Sequence, residues 1–138
     1  MSIQHRDTAA VMATMQIYFD GLYDADSDVL TRAFHCDARY IEAHQDSYKH
    51  YSLAQYLAII DKRIAPAQHQ QVRCERIISV EFGNDDMVFV KASMRMLGRD
   101  YLDFLTLIRH EEHWKIITKV FCYTPLAEHT QLQTDTLQ

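Results

Sequence analysis

Two ionisable side chains stand in segments that are otherwise apolar. Asp103 lies within "YLDFLTLI" and Lys119 within "KIITKVF", two segments joined by a polar turn. A carboxyl group removed from water favours its neutral form, which can donate a hydrogen bond to a developing oxyanion. Alternatively, a hairpin register that sets the two side chains opposite or diagonal to each other predicts a structural ion pair. The residues alone leave both interpretations open.

A third acidic residue, Glu42, shares one face of a predicted strand with Tyr40 and His44. In an apolar cavity Glu42 would suit a general base. If this edge of the sheet faces water, all three side chains are simply solvated. Tyr18 lies on the apolar stripe of the first predicted helix, where its hydroxyl either takes part in chemistry or bonds to a backbone or carboxylate partner.

The third predicted helix carries Tyr56 and Arg63, which we expect at the mouth of a pocket. The alternative is that both are ordinary half-exposed positions. Lys119 is the remaining candidate ligand-binding residue, and whether it faces the pocket or a dimer partner stays open.

Histidines invite a metal interpretation, since His110 and His113 have HxxH spacing. They sit at a polar turn, and no third ligand lies nearby in sequence, whereas zinc sites need three or four protein ligands. We therefore predict no metal site and no cofactor. Gly-rich phosphate loops and serine triads are missing as well, because the chain has only three glycines, none of them clustered.

Composition excludes several classes of protein. A formal charge of -5 argues against nucleic-acid binding. No apolar stretch approaches the ~20 residues that span a bilayer, and no signal-peptide pattern is present, so we expect no membrane association. Cys36, Cys74 and Cys122 form no CxxC pair. Reduced thiols in a cytoplasmic protein are the simplest interpretation.

Helical patterns dominate the first half of the chain. The first helix contains an apolar stripe and extends to about Tyr23, and the third is predicted to end near Pro66. A short strand is predicted within residues 36–44. The predicted caps are Asp7 or Thr8, then Asp26 or Ser27, then Ser52 in a capping box with Gln55. The stripe of the first helix consists of Val11, Met15, Tyr18 and Leu22.

From residue 72 onward the period becomes that of strands. Segments 72–82, 87–97, 101–110 and 113–123 predict a four-stranded antiparallel meander, with Gly83 and Gly98 in the turns. We therefore predict an α+β fold with helices on one face of a sheet. One domain is expected over residues 1–124, followed by a weakly ordered tail over 125–138.

Two segments carry a family resemblance. "YFDGLYDADSDVLTRAFHCDARY" and "DYLDFLTLIRHEEHWKIITKVF" resemble the putative lumazine-binding branch of the nuclear transport factor 2-like (NTF2-like) superfamily, over roughly residues 7 to 123. The resemblance implies a cone: a strongly curved antiparallel sheet packed on three N-terminal helices around a pocket. It also implies a homodimer through the outer face of the sheet.

A more distant resemblance, to ketosteroid isomerases, extends without gaps from Tyr18 to Glu42. It implies that Tyr18 is an oxyanion donor, Glu42 the general base, and Asp103 a protonated acid that shares the oxyanion. This chain departs from the isomerase pattern in having Glu42 for an aspartate and Ala43 for a proline, and in the length of the loop after Asp103.

These patterns predict a small-molecule-binding protein with a pocket between sheet and helices, for an apolar or aromatic ligand. One alternative is an isomerase-like or dehydratase-like enzyme that abstracts a proton next to a carbonyl. Another is a dimerising assembly module without a ligand.

Overall fold

In the computed structural model, which describes residues 2–126 and their side chains from Asp7 onward, the helices come early in the chain. Helix α1 spans Ser2–Asp24, α2 spans Ser27–Ala33 and α3 spans Leu53–Lys62. A 3-10 turn, Pro66–His69, follows α3, close to where that helix was predicted to end.

The predicted start of α1 is wrong, whereas that of α2 is confirmed. Asp7 lies inside α1, and its carboxylate accepts a hydrogen bond from Arg109 at 3.5 Å, so it serves a tertiary contact rather than a cap. Asp26 caps α2, because its side chain accepts from the backbone N–H groups of Asp28 and Val29.

Two further local features are the cap of α3 and a close contact between α1 and α2. The predicted capping box is present: Ser52 accepts from the Gln55 N–H, and the Gln55 side chain accepts from the Ser52 N–H. Helices α1 and α2 pack closely at Gly21, where an added Cβ would lie 2.6 Å from Leu30 Cγ. Any side chain at Gly21 would therefore push the two helices apart.

The described strands form one curved, unclosed sheet in the order β2-β1-β6-β5-β4-β3. The predicted α+β fold and the predicted meander β3-β4-β5-β6 are confirmed. The sheet is mixed, because β1 runs parallel to β6. The strand bounds are Phe34–Glu42 for β1, Lys49–Ser52 for β2, Glu75–Asn84 for β3, Met87–Met96 for β4, Arg99–His110 for β5 and His113–Pro125 for β6.

A bulge changes the face assignment of β3. The pairing shifts between Ile77, opposite Ala92, and Ser79, opposite Lys91, which leaves Ile78 as an extra residue. Ile78 is consequently 41% exposed, and Ile77 packs on the core in its place. A regular alternation over residues 72–82, with Val72, Cys74, Ile78, Val80 and Phe82 on one face, is the pattern that the sequence predicts for this strand, and the bulge makes it wrong at Ile78.

The core lies between the helices and the face of the sheet that they cover, which we call the inner face. The predicted stripe of α1 is fully buried there. The inner face also buries Met94, Met96, Trp114, Ile116 and Phe121, so the methionines fill the core rather than an outer patch. No described helix is both long and apolar enough to cross a membrane. The predicted tail lies outside the described residues from position 127 onward.

Candidate functional site

One rung of the strand ladder on the inner face carries both predicted acids. Glu42 in β1 pairs with Phe121 in β6, which pairs with Asp103 in β5. Two positions along, Tyr40 pairs with Lys119. Since side chains two residues apart point to the same face of a strand, all five face the helices. All five are buried.

Asp103 is 2% exposed, and one of its two carboxylate oxygens is paired. The hydroxyl of Tyr18 donates a hydrogen bond to Asp103 Oδ2 at 2.5 Å. The other oxygen, Oδ1, is buried without a hydrogen-bond partner among the described residues. Buried polar atoms of folded proteins are nearly always paired, so this acceptor is an exception that calls for an explanation.

Lys119 is 4% exposed and is surrounded by rings rather than by acids. Its ammonium group lies 5.1 Å from the ring centroids of Tyr18, Tyr56 and Phe121, and 5.4 Å from that of Tyr40. It donates one hydrogen bond, to the Tyr56 hydroxyl at 3.3 Å. Cation–π attraction is strongest where water is excluded, so these rings stabilise the buried charge.

The hairpin register decides how Asp103 and Lys119 relate. Asp103 is opposite Phe121 and Lys119 is opposite Leu105, so the two charged residues are diagonal neighbours on one face. This is a register for which an ion pair was one expectation. Within the described part of the chain, however, the Lys119 ammonium lies within 4.0 Å of no carboxylate, and the Asp103 carboxylate bonds to Tyr18 instead.

The three tyrosines of this region are neutral phenols at neutral pH. Burial, reinforced by the neighbouring Asp103 carboxylate, holds the pKa of Tyr18 well above its usual value. Burial raises the pKa of Tyr40 to about 12, against the opposing effect of Lys119. Burial likewise raises the pKa of Tyr56. Each hydroxyl therefore keeps its proton and can act as a donor.

Glu42 and Asp103 are at the same level of the sheet, but the side chain of Phe121 lies between them. Phe121 lies on the strand between them, and two strand spacings amount to roughly 10 Å. Glu42 is 6% exposed, and its Oε2 accepts a hydrogen bond from Ser47 Oγ at 2.9 Å. The predicted trio thus lies on one face, with only Tyr18 and Asp103 in contact.

The other predicted ligand-binding residues lie at the margin. Arg63 is the half-buried C-cap of α3, and its guanidinium opposes the effect of burial on the pKa of Tyr56 and Tyr40. The placement of His44 on the face of Tyr40 is wrong, because β1 ends at Glu42. His44 lies exposed in the following turn, where its Nδ1 accepts from the backbone N–H of Asp46.

Aromatic rings fill the space in which a pocket was predicted. Tyr40 stacks on Tyr56 at 4.4 Å and contacts Phe121 at 4.8 Å, while Phe34 packs edge-on against Tyr56 and Tyr18. A depression of about 400 Å³ lies over strands β3, β4 and β5. It is lined by Cys74, Arg76, Ser93, Met94, Arg95, Asp100 and Tyr101, none of which was a predicted site residue.

Two contributors to this region were missed by sequence reasoning. Phe121 is the ring between the two acids, and its alternation with Lys119 in β6 could have placed it on the same face. Ser47 has no such signal, because it lies in the irregular segment between β1 and β2.

Comparison with known proteins places this arrangement among known folds. Residues 6–122 match the family model described as "Putative lumazine-binding". No curated protein matches the chain. An NTF2-like protein of unknown function from Silicibacter pomeroyi superimposes with a TM-score of 0.77 at 23% identity, covering 87% of this chain and 98% of its own.

Two further solved structures are similar. An NTF2-like protein of unknown function from Shewanella baltica has a TM-score of 0.78 at 18% identity, with coverage of 87% and 95% of the two chains. A ketosteroid isomerase-like protein from Erwinia carotovora has a TM-score of 0.67 at 12% identity, with coverage of 86% and 98%. At these identities the likeness concerns the fold alone.

Proposed function

This chain belongs to the "Putative lumazine-binding" family within the NTF2-like superfamily, and on that premise we propose that it binds a small, partly aromatic organic molecule on the inner face of its sheet. The binding residues would be the inner-face cluster, which we define as Tyr18, Tyr40, Tyr56, Asp103 and Lys119. Arg63 and Glu42 would lie at its margin.

The observation that carries this proposal is the unpaired oxygen of Asp103. A buried acceptor without a partner costs roughly 1–3 kcal/mol, so the chain retains Asp103 at the expense of stability. A ligand N–H or O–H group placed against Oδ1 would remove that cost.

Lys119 supplies the complementary donor. An ammonium group has three donors, and the described contacts of Lys119 use one of them, toward Tyr56. A ligand carbonyl could therefore accept from Lys119 while a neighbouring N–H donates to Asp103. Planar rings that carry both groups fit these requirements, and they could stack on the surrounding tyrosines.

Entry of a ligand requires the rings to move. Tyr40 and Tyr56 are stacked at 4.4 Å across the inner face, so the proposed pocket forms when this stack opens. Side-chain rearrangement of this kind is common at binding sites.

Lumazine is a suitable first probe, because it is a planar bicyclic dione with N–H donors and carbonyl acceptors. Calorimetric titration should detect binding by the wild type. Asp103→Asn replaces the free acceptor by an N–H₂ group, so it should weaken binding by about tenfold or more. Lys91→Ala, on the outer face, is the matched control and should bind as the wild type does.

Two results would reject the proposal. One is the absence of binding for lumazine and for a panel of planar aromatic amides and phenols. The other is equal affinity for the wild type and Asp103→Asn. Circular dichroism of each variant establishes that a lost signal does not reflect unfolding.

Proton abstraction next to a carbonyl is a second candidate, favoured by the presence of Tyr18, Glu42 and Asp103 on one face. Glu42 would be the base, and the other two would hold the oxyanion. Two features weigh against it: Tyr18 already donates to Asp103, and Phe121 lies between Asp103 and Glu42.

Deuterium exchange into 2-tetralone, an aromatic ketone with exchangeable α-protons, distinguishes this candidate from simple binding. Catalysed exchange that is lost in Glu42→Gln and retained in Ser93→Ala would support it. Exchange at the uncatalysed rate would leave the binding proposal in place and reject the base assignment.

We also propose a homodimer through the outer face of the sheet, as the fold resemblance implies. Phe104 is 41% exposed there and packs on Phe89 at 5.6 Å, forming an apolar patch. Phe104→Glu should convert a dimer to a monomer in sedimentation velocity, whereas Asp61→Asn, at an exposed position of α3 on the other side of the sheet, should not. A wild-type monomer at all concentrations would overturn this proposal.

A cytoplasmic location completes the proposal. Cys36, Cys74 and Cys122 are all free and exposed, which suits a reducing compartment. Fractionation of cells that express the untagged chain would test it.

A further inference from the structure

Strand β1 contains an irregularity that turns three consecutive side chains toward one point. Its pairing with β6 jumps from Phe34 opposite Ile116 to Arg39 opposite Thr118. Residues 35–38 of β1 therefore stand against residue 117 alone. In a regular strand neighbouring side chains point to opposite faces, and a bulge removes that alternation.

The three side chains are those of His35, Cys36 and Asp37, and their ligand atoms lie within 4.8 Å of one another. His35 Nδ1 is 3.9 Å from Cys36 Sγ and 3.9 Å from Asp37 Oδ2. Around a tetrahedral Zn²⁺, with bonds of about 2.0–2.3 Å, ligand atoms are roughly 3.5 Å apart. Small rotations would bring all three into coordination.

The tip of the β5–β6 hairpin brings a second imidazole next to these three side chains. The ring of His110 lies edge-on to that of His35, with centroids 4.7 Å apart. His113 pairs with His110 across the hairpin. His110, one member of the HxxH pair that lacks a third ligand in sequence, therefore has His35 beside it in the fold.

We propose that His35, Cys36, Asp37 and His110, which we call the bulge cluster, form a surface site for Zn²⁺ that links β1 to the hairpin tip. One thiolate, two imidazoles and one carboxylate match the preferences of zinc. Calcium and magnesium need more oxygen ligands than this set provides. The proposal departs from the sequence-based prediction of no metal.

If Zn²⁺ binds at Nδ1 of His35, the hydrogen bond that this nitrogen now accepts must be lost. The backbone N–H of Asp37 donates to this nitrogen at 3.0 Å, so the nitrogen already presents a lone pair and no proton. Zn²⁺ would replace that hydrogen bond and gain the ligands on either side. Access is open, since Cys36 and Asp37 are exposed and the side chain of His110 is 53% exposed.

Calorimetric titration of the untagged, metal-free protein with Zn²⁺ tests the site. We expect one ion per chain, and an affinity at least about tenfold weaker for Cys36→Ser and for His35→Ala, since even outer-shell partners of a metal contribute that much. Cys122→Ser, which removes another exposed thiol, and His69→Ala are matched controls and should bind as the wild type does.

Co²⁺ as a spectroscopic substitute tests the ligands directly. A thiolate-to-cobalt charge-transfer band should appear in the wild type and be absent from Cys36→Ser. The zinc site is overturned if Zn²⁺ fails to bind, if Cys122→Ser weakens binding as much as Cys36→Ser, or if the cobalt complex lacks the thiolate band. An unchanged affinity in His110→Ala would overturn the link to the hairpin.

Discussion

The inner-face cluster and the bulge cluster each hold an aspartate among other polar side chains, but the two aspartates lie in opposite surroundings. Asp103 and Lys119 are 2% and 4% exposed, and their contacts are a tyrosine hydroxyl and aromatic rings. In the bulge cluster the side chain of Asp37 is 81% exposed. Water solvates Cys36 and Asp37 in the unliganded chain, whereas His35, at 11% exposure, and the inner-face cluster depend on protein partners.

The difference has an energetic meaning. A buried polar group that loses its partner cannot turn to water, so changes in the inner-face cluster should destabilise the fold. An exposed group can be solvated instead, so changes at Cys36 and Asp37 should affect metal affinity and leave the free energy of unfolding nearly constant.

The largest expected effect is alkaline unfolding through the inner-face cluster. A tyrosine whose pKa is raised by burial contributes stability below its unfolded pKa of 10.0 and loses it as the pH rises through the folded value. That folded pKa is about 12 for Tyr40, and burial also holds the pKa of Tyr18 well above 10.0. Stability should therefore fall steadily above pH about 10.

Parallel measurement of tyrosinate absorbance and far-ultraviolet circular dichroism checks this expectation. The last tyrosines should ionise together with the loss of secondary structure. Ionisation of all eight tyrosines in a chain with unchanged dichroism would contradict the burial of Tyr18, Tyr40 and Tyr56.

Next in size is Tyr18→Phe, which leaves both oxygens of Asp103 without a donor. We expect a loss of about 1–3 kcal/mol in the free energy of unfolding, measured by urea titration. Tyr48→Phe, at a position that is 67% exposed, is the matched control and should change stability by less than about 0.5 kcal/mol. Equal losses of stability in the two variants would contradict the expected difference between buried and exposed hydroxyl groups.

A smaller effect of opposite sign is expected at the hairpin tip beside the bulge cluster. Glu111 and Glu112 have φ angles of 51° and 70°, in the left-handed region that glycine adopts at little cost. Glu112→Gly should therefore stabilise the chain by about 1 kcal/mol in urea titrations. Glu81→Gly, within strand β3, should instead destabilise it, by about 0.5–1 kcal/mol.

The smallest effect is that of Cys36→Ser on the metal-free chain, within about 0.5 kcal/mol of the wild type. Zn²⁺ should make the stabilities of the two proteins differ. At a free concentration of about 100 times the dissociation constant of the wild type, it should raise the free energy of unfolding of the wild type by about 2.7 kcal/mol and that of the variant by less. Differential scanning calorimetry with and without Zn²⁺ measures both values. A metal-free variant that melts far below the wild type would show that Cys36 has a structural role.

The sequence predicted those parts of the fold that follow from periodicity. The stripe through Tyr18 placed that residue on the covered face, because one face of the helix had to be buried. The almost wholly apolar segment around Asp103 left the surroundings of that carboxyl group open. The parallel pairing of β1 with β6 could not be foreseen, since it joins distant segments. The short strand β2 pairs locally with β1, but its residues show no alternation of apolar and polar side chains.

Irregular pairing limited the prediction of the site more than the fold did. Periodicity assumes a constant register, and the bulge in β1 breaks it at residues 35–38. His35 therefore reaches the hairpin tip with no signal in the sequence. The filling of the predicted pocket was likewise invisible, because it depends on the rotamers of Tyr40 and Tyr56.

The parallel pairing of β1 with β6 also sets the order of folding. Tyr40 and its partner Lys119 are 79 positions apart in the chain. On the ribosome, β1 therefore has only β2 beside it until nearly the whole meander has been translated. Contacts of such long range slow folding, so joining β1 to β6 should be a late step in the assembly of this sheet.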